Sequence, residues 1–169
     1  KTYVDTPRFA DIPFYLRAGK KMAEDFVEIS LVFKQTCHIL FKEYGCPEIG
    51  NVLTFRIQPD EGINLSVIAK KPGTRLALDP VNMQFTYRSA YGYRGADAYE
   101  KILQDIFSGD QMLFNRSDEL DYSWKWISSI MKGWENPAIP LLQYKDFSWG
   151  PKAADRLITD EGRKWIISE

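Results

Sequence analysis

The run Ile12-Pro13-Phe14-Tyr15-Leu16-Arg17-Ala18-Gly19-Lys20-Lys21 contains the residue types that could hold an anion. The run reads as an apolar strand that ends in a glycine with three cations beside it. Gly19 lacks a Cβ and so lets the backbone approach a ligand closely, while Arg17, Lys20 and Lys21 supply charge for a phosphate or a carboxylate. On residue types alone, a solvated strand end with ordinary surface lysines explains the run as well.

The remaining groupings favour structural roles. Asp60 and Glu61 are adjacent carboxylates, but between Pro59 and Gly62 they read as solvated turn residues and not as a catalytic pair. Trp124, Trp126 and Trp134 could stack a sugar or a base, yet Trp124 and Trp134 share the apolar face of one helix, which predicts core packing. Lys70-Lys71-Pro72-Gly73 reads as a cationic, solvated turn. Cys37, His38 and Cys46 would need carboxylates to complete a zinc site, so no metal is expected; the thiols read as reduced and His38 as a loop side chain.

The elements that must position the cationic run come next. Alternation marks a strand over Glu28 to Lys34 and another over Val52 to Gln58, where Leu53, Phe55 and Ile57 oppose Thr54, Arg56 and Gln58. The turn Pro59-Asp60-Glu61-Gly62 leads to Ile63, Leu65 and Val67, which makes a hairpin. Pro72-Gly73 marks the next turn; a short strand carries Leu76 and Leu78, and Met83, Phe85 and Tyr87 alternate after it. Beyond Gly95 the period becomes helical: Tyr99, Ile102, Leu103, Ile106 and Phe107 form one stripe, with Asp97 and Glu100 as a capping box and Gly109 as the stop. A second helix starts near Ser117, carries Leu120, Trp124, Ile127, Met131 and Trp134, and ends at Asn136-Pro137. A short helix opens at Pro151. Strands before helices predict an α+β fold: a large, mainly antiparallel sheet with helices packed on one face. The other face, with Thr54, Arg56, Asn64, Ser66, Gln84 and Thr86, would then meet solvent, another domain or another subunit.

The chain has 169 residues, the usual size of one domain, and 44% hydrophobic with 27% charged residues excludes disorder. Lys and Arg (22) balance Asp and Glu (23), so no global field attracts nucleic acid or an anionic membrane, and any anion site must be local. Neither a signal peptide nor an apolar stretch of membrane length is present, which points to the cytoplasm.

Val4-Asp5-Thr6-Pro7-Arg8-Phe9 followed by Pro13-Phe14-Tyr15-Leu16-Arg17-Ala18-Gly19-Lys20 closely resembles the pattern of the glucose-6-phosphate dehydrogenase family. The match continues in order through Asn51-Val52-Leu53, Arg56-Ile57-Gln58-Pro59-Asp60-Glu61-Gly62, Lys70-Lys71-Pro72-Gly73, Ala98-Tyr99-Glu100, Gly109-Asp110-Gln111, Arg116-Ser117-Asp118-Glu119 and Trp149-Gly150-Pro151. The resemblance implies that residues 1–169 are the substrate-facing and oligomerisation domain at the C-terminal end of such an enzyme. It also implies a partner Rossmann domain upstream, absent from this chain, that holds NADP or NAD. A His-Asp pair in that domain would take the proton from the sugar's C1 hydroxyl. No glycine fingerprint of a coenzyme site occurs here, so the chain alone is expected to be inactive.

In this resemblance Lys20 reaches the phosphate of glucose 6-phosphate, with Lys21 and Arg17 as further candidates. The family commonly has a second phosphate-binding cation where this chain has Asp25. Either Lys21 substitutes, or upstream residues hold most of the phosphate, or the substrate differs. Some members also build a structural NADP site on this sheet. Arg17 and Arg56 persist from it, but Phe26, Ser30, Asn64, Ser66 and Gln84 replace the cations, tyrosine and acid expected there, so no cofactor is expected in this chain. The family's assembly predicts a homodimer or homotetramer through the sheet. The alternative is a dimerisation module without catalytic activity.

Overall fold

Alternating side chains pair off into a four-stranded antiparallel sheet in chain order: β1 (Val27–Val32), β2 (Val52–Gln58), β3 (Gly62–Lys70) and β4 (Leu78–Thr86). The computed structural model describes residues 1–35, 49–92 and 98–167. These belong to two compact units, Lys1–Arg94 with Tyr144–Glu169, and Gly95–Gln143. Cys37, His38, Cys46 and Asp97 lie outside the described residues.

Register sorts the sheet into two chemically distinct faces. On one, Ile29, Phe55, Ile63 and Phe85 form a row beside Leu31, Leu53, Leu65 and Met83. On the other, Ser30, Thr54, Asn64 and Gln84 lie beside Val52, Ser66 and Asn82. Gly62 opens β3 opposite Thr86 because a Cβ there would lie 2.5 Å from the Phe85 carbonyl oxygen.

The expectation of which face stays uncovered is reversed. Thr54 is only 2% exposed and shares its hydroxyl with Ser30 at 2.9 Å, whereas Ile29 on the apolar face is 58% exposed. The chain's own C-terminal segment explains this, since Lys164 to Ile167 line one groove together with Thr54, Asn64, Ser66, Asn82 and Gln84. Covering a polar face is tolerable because its charges are paired: Arg56 meets Glu28 at 3.5 Å.

The α+β class and the antiparallel sheet stand, with two local differences. The strand expected to run through Tyr87 stops at Thr86, which caps a short helix, α1 (Tyr87–Tyr91): its side chain accepts from the Ser89 amide at 3.1 Å, and Gly92 closes the turn at φ 73°. Leu76 lies outside any strand, and β4 begins at Leu78.

The second unit holds α2 (Ala98–Ser108) and α3 (Ser117–Trp134), close to the predicted bounds, with Gly109 at φ 69° after α2. The predicted burial of Trp124 and Trp134 is not found: they are 64% and 68% exposed, and α3 has no buried residue. A helical stripe specifies a face that wants cover but does not supply it. Back in the first unit, α4 (Lys152–Thr159) follows Pro151 and buries Ile158.

Candidate functional site

The cationic run is not a sheet strand. Among its residues Phe14 alone forms a β-bridge, exchanging amide hydrogen bonds of 2.9 Å with Thr2. Pro13 has no N–H to extend that pairing. Beyond the bridge the chain is anchored by side chains, and Arg17 is the main anchor. Its guanidinium sits 5.0 Å from the Trp149 ring centre and 4.2 Å from that of Trp165, donates to the Trp149 carbonyl at 3.3 Å and faces Asp155 of α4 at 3.6 Å. Its side chain is 14% exposed; burial lowers its pKa and the Asp155 charge opposes that shift. The stack continues through Phe26, 5.9 Å from Trp149, to Arg56 at 5.4 Å from Phe26. Arg17 thus ties the run to the sheet and to the C-terminal segment.

The turn after Arg17 is strapped to Tyr144–Ser148. The Tyr144 hydroxyl donates to the Lys20 carbonyl at 2.7 Å, the Phe147 amide to the Lys21 carbonyl at 2.8 Å and the Ala23 amide to the Ser148 carbonyl at 3.1 Å. Lys21 adopts φ 51° and pairs with Asp146 at 2.8 Å, both side chains well exposed. A left-handed non-glycine residue persists only where its surroundings hold it, and these bonds hold it on both sides. A Cβ on Gly19 would meet Met22 Sδ at 2.6 Å and the Tyr144 hydroxyl at 3.0 Å, so close approach requires this glycine.

The three candidate cations therefore differ. Arg17 is committed to two tryptophans and a carboxylate, and Lys21 to Asp146. Lys20 is exposed at the tip of the turn and has no ion-pair partner among the described residues. Asp25 is exposed as well. The arrangement can present one ammonium group to an anion on a fixed backbone. Tyr144, Asp146 and Ser148 escape sequence reasoning because they lie more than a hundred positions from the turn they hold. Locally, the run Trp149-Gly150-Pro151 marks this stretch in the sequence.

Comparison with known proteins shows which family the whole chain resembles. A family model described as glucose-6-phosphate dehydrogenase, C-terminal domain, matches residues 1–166. The glucose-6-phosphate 1-dehydrogenase of Chlamydia pneumoniae is 40% identical over 169 residues, covering 98% of this chain and 33% of the relative. That of Treponema pallidum is 39% identical over 167 residues, covering 98% and 32%. The chain spans about a third of the length of the curated relatives it matches. A solved structure of a glucose-6-phosphate dehydrogenase in complex with its substrate glucose-6-phosphate superposes with a TM-score of 0.80 at 31% identity, covering 99% of this chain and 34% of that one. The enzyme from Mycobacterium avium gives 0.78 at 27% identity, with the same coverage of each chain.

Proposed function

This chain belongs to the glucose-6-phosphate dehydrogenase family as its C-terminal domain, and from that premise we propose that Lys20 contacts the phosphate of glucose 6-phosphate in the complete enzyme. The reaction would be oxidation at C1: the C1 hydrogen leaves as hydride to NADP or NAD, the C1 hydroxyl proton goes to a base, and the product is 6-phosphogluconolactone. Coenzyme and base would belong to an upstream Rossmann domain, so the chain would supply one contact to the substrate of the complete enzyme and by itself catalyse nothing. Its place of action would be the cytoplasm; among the described residues no helix is long and apolar enough to cross a membrane.

One observation carries the assignment to Lys20. Of the three cations in the run it alone has an ammonium group exposed and uncommitted among the described residues, on a backbone fixed by the strap. Lys21 could serve the phosphate only by releasing Asp146, and Arg17 only by leaving its two rings. With Asp25 in place of a second cation, upstream residues would carry the rest of the phosphate charge.

Lys20→Ala in the complete enzyme should raise KM for glucose 6-phosphate by roughly ten- to hundredfold with little change in kcat, the worth of one charged hydrogen bond made equally in ground and transition states. An unchanged KM would remove Lys20 from the substrate site.

A further inference from the structure

We propose that Tyr144 is a positioning residue for Lys20, acting on substrate binding through the Lys20 backbone. The inference rests on the reading of Lys20 as the phosphate contact. The Tyr144 hydroxyl has two dealings with the turn: it donates to the Lys20 carbonyl at 2.7 Å, and it stands 3.0 Å from the position a Cβ would take on Gly19. It therefore restrains the peptide that follows Lys20 and closes the space in which a side chain at the preceding residue would have to sit. The neighbouring bonds, Phe147 amide to Lys21 carbonyl and Lys21 to Asp146, hold the next residue in its left-handed conformation.

What these contacts leave free is the Lys20 side chain. A lysine is a flexible stem with a point charge, and its direction of departure is set by the backbone that carries it. A fixed departure direction confines the ammonium to part of its range before any anion arrives, and ordering achieved beforehand is not lost again on binding. Tyr144 itself lies in the exposed strap, and its proposed effect on the substrate runs through this carbonyl.

The test is a double-mutant cycle in the complete enzyme, with Tyr144→Phe and Lys20→Ala made singly and together. Tyr144→Phe keeps the ring and removes one neutral hydrogen bond, so KM for glucose 6-phosphate should rise about three- to tenfold with kcat held. In the Lys20→Ala background the same change should leave KM where it is, because the residue acts through Lys20. Gly19→Ala, which forces a Cβ against the Tyr144 hydroxyl and Met22, should raise KM in the same background-dependent way. If Tyr144→Phe leaves KM unchanged while Lys20→Ala raises it, or raises KM by the same factor in both backgrounds, the positioning role is wrong and the reading of Lys20 stands. If Lys20→Ala itself leaves KM unchanged, the phosphate reading falls and this inference falls with it.

Discussion

Glu161 gathers three side chains around one carboxylate: Lys1 and Tyr15 bind it from the start of the chain, and Arg163 from two residues away at 3.0 Å. Tyr15 meets Trp165 edge-on at 6.3 Å, so the cluster closes the N-terminal run onto the C-terminal segment just beyond the Arg17 stack. The hydrogen bond from Lys1, then that from Tyr15, lowers the Glu161 pKa below the usual carboxylate value. The sign follows from linkage. A carboxylate whose folded pKa is depressed contributes stability above its unfolded value, roughly pH 4.3, and that contribution is lost as pH falls through the folded pKa. Hydrogen exchange over residues 161–167 should therefore be slower in the parent than in Glu161→Gln at pH 7, with the difference vanishing in strong acid. A constant ratio across that range would mean the carboxylate charge does not hold this segment. The effect should be modest because the cluster is solvent-facing.

At the scale of elements, the sheet's polar face and the segment over it form a groove, and its charges argue against a nucleotide there. Of the cations lining it, Arg56 is met by Glu28 at 3.5 Å, Arg88 by Asp60 at 2.9 Å and Lys164 is engaged as well, while Ser30, Asn64, Ser66 and Gln84 add only neutral groups. A pyrophosphate entering the groove would have to break those pairs, and the aromatic surfaces beside it already stack on Arg17. Calorimetric titration of the domain with NADP should show no tight binding; a micromolar or tighter site on this domain would overturn that expectation. The groove also shows why the polar rows could be covered at all. Strand alternation reveals that a sheet has two faces, but which face the chain covers depends on where a segment far along the chain returns.

For the molecule as a whole, the apolar rows remain the outstanding surface. Ile29, Ile63, Val81, Met83 and Phe85 are all more than a third exposed, and a contiguous apolar patch of this kind marks an interaction surface. Assembly of the enzyme as a homodimer or homotetramer through the sheet would cover it, as an isologous contact buries the same face on both copies. A Phe85→Asp enzyme should then dissociate at least about tenfold more readily in sedimentation experiments, since the substitution places a charge in the middle of such an interface. A variant that keeps the parent's oligomeric state would exclude this face from the interface. The sequence by itself determined the family, the strand and helix periods, the β2–β3 hairpin and the cluster of cations around Gly19, because each is written in residues close together along the chain. Tertiary structure alone decided that Arg17 is an anchor between Trp149 and Trp165, that Asp146 pairs with Lys21, that Tyr144 donates to the Lys20 carbonyl and that the polar face is the covered one. Those outcomes join segments that local periodicity and propensity cannot bring together, and whether a cation is free to bind is settled by what such a distant segment places beside it.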